Sequence, residues 1–333
     1  MNTATAKVVR FHKTGPASVL MIDDLPVPEP GEHELRIKVQ AIGLNRAEVM
    51  FRNGAYLETP QLPSRLGYEA AGIVEAVGQH VKAFKVGDRV STVPAFSMSQ
   101  YGVYSEQAVV PAHAVAKCPE SFTMQQCTAI WMQYITAYGA LVDIGQLKPG
   151  QRILITAASS SVGIAAIQLA RSLGAMVIAT TRNERKKQLL LDQGADHVIQ
   201  TDSEELVTRM AEITQGVGAE LVFDPIGGPI LGPLAEVTAK GGRIIEYGAL
   251  DSRPTPYPLF TALAKGLIIQ GYTLFEITQN SEKLGSAKAY LLPLFNAKKL
   301  TPLIDKVFSF DQIQQAHEYM ESNQQTGKIV VSV

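Results

Sequence analysis

From residue 152 onward the sequence alternates short apolar runs with amphipathic runs, and this pattern restricts the possible folds more than any other feature. The apolar runs are continuous rather than alternating, which predicts strands that are buried on both faces. Amphipathic segments between such strands predict right-handed crossover helices on a parallel sheet. The predicted strands are 152–158, 176–181, 197–201, 219–227, 241–248 and 267–274, and the predicted helices include 161–175 and 184–195.

The first third of the chain has a different pattern. Short segments rich in Val and Ile are separated by turns that contain Gly and Pro, such as 26–32 and 86–90. This pattern predicts a β-meander or barrel-like domain. Residues 121–142 carry apolar side chains at helical spacing, with Ser121 placed to cap the helix, and a short strand is predicted at 327–333.

Composition excludes several classes of function. A chain of 333 residues is long enough for two domains. Its 30 basic and 31 acidic residues give a net charge of −1, so we expect no nucleic-acid partner. No apolar run reaches the ~18–20 residues of a membrane span, and the first residues do not resemble a signal peptide. With Cys118 and Cys127 as its two cysteines, the protein is expected to be cytoplasmic, with reduced thiols.

The turn at 157–163 is a candidate diphosphate-binding loop. A dinucleotide site places the diphosphate at a helix N-terminus, and the preceding turn needs small residues so that the backbone can approach. The turn reads Ala-Ala-Ser-Ser-Ser-Val-Gly rather than G-x-G-x-x-G, although serine hydroxyls can donate to phosphate oxygens. The alternative interpretation is an ordinary strand-to-helix turn that binds no cofactor. Small residues in the following helix favour the dinucleotide site, because they allow the close packing of helix and strand that such a site requires. The predicted contacts are Ser159, Ser160, Ser161, Val162 and Gly163.

The end of the second predicted strand bears on which dinucleotide binds. Sites for NAD usually carry an acidic residue about 20 residues beyond the glycine loop. Here Thr181 and Arg182 occupy that region, and Lys186 and Lys187 follow at a helix start, where cations oppose the helix dipole. A 2′-phosphate would turn that conflict into charge-assisted hydrogen bonds. We therefore predict NADPH bound by Thr181, Arg182 and Lys186, and interpret Lys187 as part of a solvated charged face.

Several segments together resemble the medium-chain dehydrogenase/reductase superfamily, and within it the zinc-independent quinone oxidoreductases. The resemblance spans nearly the whole chain and is carried by residues 15–20, 27–45, 52–78, 86–90, 147–175, 194–199 and 327–330. It implies an α/β fold with two domains. A Rossmann-type parallel-sheet domain that binds NADPH would comprise 126–300, and a GroES-like β-rich catalytic domain would comprise 1–125 and 301–333.

The resemblance also bears on metal binding. Alcohol dehydrogenases of this superfamily bind catalytic zinc through a Cys and a His-Glu pair, and the matching positions here are Asn45 and Tyr68-Glu69. Neither an amide nor a phenol is a ligand that zinc favours. The stretch after 88–90 lacks the four cysteines of a structural zinc lobe, and the six histidines show no ligand spacing in sequence. We expect no metal, which favours an electron-poor acceptor such as a quinone or a conjugated carbonyl.

The resemblance assigns further site residues. It places Asn45 in the substrate cleft, Tyr56 beside it and Thr136 toward the nicotinamide ribose. Tyr68, which replaces a zinc ligand, would point at the reacting centre and donate a proton or hydrogen bond. Either tyrosine could instead be a wall residue that contributes shape only. The remaining predicted cofactor contacts, at strand ends near the nicotinamide, are Gly248, Ala249, Gly271 and Tyr272.

The leading interpretation is a reductase that transfers hydride from NADPH to a small electrophile, either a quinone or another conjugated carbonyl compound. An enoyl-thioester reductase and a non-catalytic NADPH-binding protein remain alternatives. The resemblance also implies a homodimer, formed through edge-to-edge pairing of the strand at 267–274. A membrane partner is not expected.

Overall fold

The computed structural model describes residues 4–333, which form two compact units. The first unit comprises the described chain up to Met132 together with Thr301–Val333, and the second unit comprises Gln133–Leu300. The strands are β1 Thr5–Phe11, β2 Leu20–Pro26, β3 Glu34–Gly43, β4 Ser64–Arg65, β5 Glu69–Val77, β6 Arg89–Thr92, β7 Gln107–Pro111, β8 Val115–Lys117, β9 Arg152–Ile155, β10 Met176–Thr181, β11 His197–Gln200, β12 Ala219–Asp224, β13 Thr238–Glu246, β14 Ile268–Gly271, β15 Ile304–Ser309 and β16 Lys328–Ser332. The helices are α1 Arg46–Arg52, α2 Met98–Tyr101, α3 Met124–Cys127, α4 Trp131–Tyr138, α5 Ser161–Ser172, α6 Lys187–Asp192, α7 Leu206–Thr214, α8 Leu231–Val237, α9 Leu259–Lys265, α10 Phe275–Thr278, α11 Ser281–Asn296 and α12 Ile313–Glu321.

The second unit is built on a six-stranded parallel sheet in the order β11-β10-β9-β12-β13-β14. This is the doubly wound order, in which the direction of winding reverses between β9 and β12. Side chains on the central strands, such as Leu154, Ile178, Val222 and Ile244, are fully buried beneath helices. The predicted parallel α/β sheet is therefore confirmed.

The first unit is mainly antiparallel. Its larger sheet runs β15-β16-β3-β5-β6-β8, with β7 also paired to β3, and its smaller sheet runs β2-β1-β4. Along β3 the residues Leu35, Ile37 and Val39 are buried while the residues between them are more exposed, the alternation that a half-buried strand requires. Strand β16 pairs with β3, so that distant parts of the chain complete one sheet.

The segment 121–142 is not the single helix that its periodicity predicts. Its first helix is capped by Thr123, not by Ser121. A capping box needs Glu or Gln three residues after the cap, and Gln126 meets that requirement for Thr123 whereas Met124 does not for Ser121. The chain then forms α4 and continues as a π-helical turn at Gly139–Ile144. Within residues 4–333, no helix combines the length and apolarity that a membrane span requires.

Candidate active site

The loop at the start of α5 has the geometry of a diphosphate-binding turn. Ser160 caps the helix, its Oγ accepting a hydrogen bond of 3.0 Å from the Gly163 N–H. A Cβ at Gly163 would lie 2.5 Å from the carbonyl oxygen of Ala158, so only glycine allows helix and loop to pack this closely. The first N–H groups of a helix have no intrahelical acceptor and are available to an anion. The predicted loop contacts, Ser159–Gly163, thus surround a helix N-terminus.

A surface cavity of about 600 Å³ lies near this loop, at the carboxyl ends of β10 and β11. The Lys186 ammonium is 3.5 Å from the hydroxyl of Ser159, which links the cationic segment to the phosphate loop. Thr181 is buried, and its Oγ1 accepts from the Asn183 N–H at 3.3 Å, so that it shapes the turn. The residues lining the cavity are Arg182, Asn183, Glu184, Arg185, Gln200 and Asp202.

Two carboxyl groups end the neighbouring strands β12 and β13. Asp224 accepts hydrogen bonds from the N–H groups of Ile226 (3.0 Å) and Gly227 (2.7 Å) and from the Thr156 hydroxyl. Both carboxylate oxygens of Glu246 are buried. Burial, together with the charge of Asp224, raises the pKa of Glu246 to about 9. Glu246 is therefore protonated at neutral pH, a feature that the sequence pattern did not indicate.

The residues predicted near the nicotinamide occupy different environments. Gly248 and Ala249 are exposed at the end of β13, and Gly271 ends β14. Tyr272 is buried: its hydroxyl donates to the Ile135 carbonyl oxygen at 3.3 Å, and its N–H donates to the Glu246 carbonyl oxygen at 2.8 Å. Its side chain therefore packs against α4.

Helix α4 also carries the predicted ribose contact. Thr136 lies in its middle and is 6% exposed. The turn after α4 begins at Gly139, where a Cβ would lie 2.0 Å from the Tyr272 hydroxyl oxygen, so a glycine is required beneath that phenol. Tyr272 thus fixes the helix that positions Thr136.

In the first unit, four buried polar side chains form a connected cluster around Asn45. The Lys328 ammonium donates to Asn45 Oδ1 at 2.6 Å and forms an ion pair with Glu69. Glu48 accepts from the Asn45 N–H at 2.6 Å and from the Tyr68 N–H at 3.1 Å. Burial raises the pKa of Glu48 to about 7, although the positive charge of Lys328 opposes this shift.

Local structure explains how this cluster forms. Asn45 and Glu48 make a capping box at the start of α1, and Glu69 accepts from the Met132 N–H at 2.9 Å at the start of α4. A Cβ at Gly43 would lie 2.8 Å from Lys328 Cε, so the lysine stem passes over a glycine. The Glu69 carboxylate is therefore held by a backbone N–H and by a lysine.

The hydroxyl groups of Tyr56 and Tyr68 form a hydrogen bond with each other, and their ring centroids are 6.5 Å apart. Burial raises the pKa of Tyr56 to about 12 and that of Tyr68 further, so both phenols are protonated at neutral pH. Phe96 lies 5.8 Å from Tyr68 and 6.2 Å from Tyr101, centroid to centroid. The sequence predicts the two tyrosines as site residues but does not indicate this extended aromatic cluster.

The segment that carries Tyr56 is held by the neighbouring Glu58. The Glu58 carboxylate accepts from the hydroxyl of Ser97 at 2.5 Å and from the N–H groups of Met98 and Ser99 at 3.1 Å. These bonds anchor the segment to the start of α2. Tyr56 is therefore positioned by a loop with a defined attachment.

Similarity to known proteins identifies the family to which the chain belongs. Residues 31–120 match the family model described as "Alcohol dehydrogenase GroES-like domain", and residues 161–287 match the one described as "Zinc-binding dehydrogenase". The human quinone oxidoreductase is 32% identical over 327 residues, which cover 96% of this chain and 95% of that protein. The chain belongs to the medium-chain dehydrogenase/reductase superfamily. Within the superfamily it falls in the quinone oxidoreductase branch.

Two further relatives show the breadth of this branch. The human synaptic vesicle membrane protein VAT-1 homolog is 30% identical over 320 residues, covering 91% of this chain and 80% of that protein. The crystal structure of the Escherichia coli quinone oxidoreductase complexed with NADPH superposes with a TM-score of 0.92 at 30% identity, covering 98% of this chain and 100% of that one. The expected two-domain α/β fold is thus confirmed.

Proposed function

We propose that the protein is an NADPH-dependent oxidoreductase that reduces a quinone or another conjugated carbonyl compound. The observation that carries this proposal is the position of two cations: Lys186 lies 3.5 Å from the Ser159 hydroxyl of the serine-rich loop, and Arg182 lines the surface cavity at the ends of β10 and β11. A 2′-phosphate would meet these two cations in charge-assisted hydrogen bonds, whereas the 2′-hydroxyl of NADH would not. The similarity to an E. coli quinone oxidoreductase crystallised with NADPH supports the same cofactor.

The residues present fit a bound dinucleotide. We assign the diphosphate to the N-terminus of α5, where a Cβ at Gly163 would fill the space between helix and loop. When bound, NADPH supplies a hydride. The proposed contacts of its two ends are Thr181, Arg182 and Lys186 at the 2′-phosphate, and Thr136, Gly248, Ala249, Gly271 and the Tyr272 backbone at the nicotinamide nucleoside.

On the substrate side we assign the central role to Tyr68. Its phenol is protonated at neutral pH and can donate a hydrogen bond or a proton to the anion that forms on the acceptor oxygen. Tyr56, hydrogen-bonded to it, would hold the hydroxyl in place. The ring surfaces of these tyrosines and Phe96 suit a flat conjugated substrate. Asn45 is proposed to line the same site.

We further propose that this chemistry needs no zinc. At the positions where relatives would hold the metal, Asn45 is engaged by the Lys328 ammonium and Glu69 is paired with it. This buried cation already balances the carboxylate. A divalent ion placed here would repel the ammonium across a short distance in a medium of low dielectric. Turnover is therefore expected to survive extensive treatment with a chelator.

A homodimer formed through the second unit is proposed as the quaternary structure. Strand β14 is the last strand of the sheet and pairs with β13 on one side. Beside it, α9 exposes apolar side chains: Phe260 is 84% exposed and Leu263 70%. A second copy pairing edge to edge would cover the strand edge and these side chains together.

A cytoplasmic location is proposed from the cysteines. Cys118 and Cys127 are free thiols that are buried and hydrogen-bonded to each other. Few cysteines in a chain of this size, with no need for a disulfide to stabilise its core, are typical of proteins in a reducing compartment.

The proposed reaction can be tested by following NADPH oxidation with a panel of acceptors. We expect turnover with a simple quinone or an α,β-unsaturated ketone, and a much lower kcat/KM with an enoyl-CoA. Preference for the enoyl-CoA would favour an enoyl-thioester reductase. Tight NADPH binding without turnover of any acceptor would contradict the assignment as an enzyme.

A further inference from the structure

Two imidazoles and a carboxylate converge on the surface of the first unit. The potential ligand atoms of Glu32, His33 and His80 all lie within 4.8 Å of one another. His80 Nδ1 is 3.4 Å from Glu32 Oε2, and the rings of His33 and His80 are 4.9 Å apart between centroids. We propose that these three side chains bind a divalent transition-metal ion, with Zn²⁺ as the expected occupant.

The backbone holds the two contributing turns together. One turn precedes β3 and the other follows β5, its paired neighbour. The His80 N–H donates to the Glu32 carbonyl oxygen at 2.9 Å, and the Gly78 N–H donates to the Glu34 carbonyl oxygen at 2.8 Å. A Cβ at Gly78 would lie 2.0 Å from the Gly31 carbonyl oxygen, so glycine is required for this approach. The ligands are therefore brought together by the sheet itself.

The Glu32 carboxylate is also oriented to act as a metal ligand. The Gln79 side-chain amide donates to Glu32 Oε1 at 2.7 Å, which leaves Oε2 directed at His80. Such an outer hydrogen bond fixes the orientation of a ligating carboxylate. The arrangement therefore resembles an ordered ligand set rather than a random surface contact.

The distances suit a tetrahedral ion. Zinc bonds of about 2.0–2.2 Å place neighbouring ligand atoms about 3.4 Å apart. The pair His80–Glu32 already has this separation, and the ligand atom of His33 lies within 4.8 Å of both. All three residues are exposed, so water can take the fourth position. Two imidazoles and one carboxylate favour Zn²⁺ over Mg²⁺ or Ca²⁺, which prefer oxygen ligands.

An ion at this position would tie the turn before β3 to the turn after β5 and thereby stabilise the first unit. The site shares no residue with the proposed reaction. In the sequence His33 and His80 are separated by 46 other residues, and only the β3–β5 pairing brings them together. The lack of ligand spacing among the histidines in the sequence therefore does not prevent two of them from meeting in the fold.

The test uses full-length protein without an affinity tag, stripped with a chelator and then titrated with Zn²⁺, or with Co²⁺ for its absorption spectrum. We expect one ion per chain and a Tm raised by about 2–4 °C. His33→Ala and His80→Ala should each weaken binding about tenfold or more. His12→Ala is the matched control, because His12 is an exposed histidine that pairs with Asp23 at 3.1 Å and does not belong to the group formed by Glu32, His33 and His80.

No saturable binding below about 100 μM Zn²⁺ would overturn the proposal. So would one tightly bound ion that remains in the His33→Ala/His80→Ala double variant. NADPH oxidation measured on the same samples separates this site from the proposed reaction. If the protein binds the metal ion but does not oxidise NADPH with any acceptor, the proposed reaction is contradicted and the proposed metal site is not.

Discussion

The Lys328 ammonium and the Glu69 carboxylate form an ion pair in which neither side chain is more than 1% exposed. The remaining polar atoms of the pair are bound as well, since Lys328 reaches Asn45 and Glu69 reaches the Met132 N–H. The pair thus joins β16 to β5 and to the start of α4. Its removal should affect both stability and the geometry of the proposed site.

Lys328→Met is expected to lower the free energy of unfolding by about 3–5 kcal/mol, because it leaves an uncompensated carboxylate in the interior. Urea denaturation measures this effect. Adding Glu69→Gln to this variant should recover part of the loss, since the remaining charge is then removed. The control is Lys283→Met, which breaks the more exposed pair with Asp143 and should cost less than about 1 kcal/mol. Equal effects in the two single variants would contradict the interpretation.

Tyr68→Phe tests the proposed donor. We expect kcat with a quinone to fall about 10²-fold or more, with little change in NADPH affinity, because the phenol would act only on the developing anion. Tyr101→Phe is the control: Tyr101 belongs to the same aromatic cluster, but its hydroxyl donates to Glu34 at 2.6 Å. If both variants lose activity equally, Tyr68 serves packing rather than chemistry.

Arg182→Ala and Lys186→Ala test the cofactor assignment. Each should raise the KM for NADPH by about tenfold, a loss of about 1.4 kcal/mol, and leave the KM for NADH nearly unchanged. Lys187→Ala provides the comparison, since that side chain was assigned to the solvated face. An equal increase in the KM for NADPH and in the KM for NADH would refute a role of these residues in binding the 2′-phosphate.

Glu246→Gln tests the buried carboxyl group. Its pKa, about 9 in the folded protein, is above the unfolded value, so the folded state holds an extra proton between about pH 4.5 and 9. Stability should therefore fall as pH rises through this window, by less than about 1.4 kcal/mol per pH unit because the group is partly screened. Urea midpoints at pH 6 and pH 9 measure the slope. The variant should lose this slope; an unchanged slope would place the titration elsewhere.

Phe260→Glu combined with Leu263→Glu tests the proposed dimer. Two charges in an apolar interface should convert a dimer to a monomer in sedimentation velocity measurements, because neither carboxylate could be solvated there. Val217→Glu, at an apolar residue of the same unit that is 53% exposed, should leave the association unchanged. A wild-type monomer would exclude the proposal directly.

The second unit was the more predictable part of the fold. Its contacts follow from continuous apolar strands and from the small-residue turn before α5, which are local signals. The helix at 121–142 was harder to predict, because apolar periodicity continues across the break between α3 and α4 and does not indicate where it falls. The sequence predicts a domain boundary at 125/126, and the compact units divide seven residues later, at Met132/Gln133.

Some residues of the candidate site could likewise be predicted from the sequence, and others could not. Glu48 could have been found from its position three residues after Asn45, the spacing of a capping box. Lys328 could not, because its ammonium reaches residues more than 250 positions away through the pairing of β16 with β3. The same limit applies to His33 and His80. Side chains joined only by sheet register leave no periodic signal in a single sequence.

The connection between Glu69 and Lys328 has a consequence for synthesis on the ribosome. The second unit is continuous in sequence, so it can fold once residue 300 has emerged from the exit tunnel. The first unit cannot be completed then, because the partner of Glu69 is translated 259 residues later. At a synthesis rate of about 5–20 residues per second, roughly 13–50 s pass between the translation of Glu69 and that of Lys328. During that interval, the early strands are the part of the chain most in need of a chaperone.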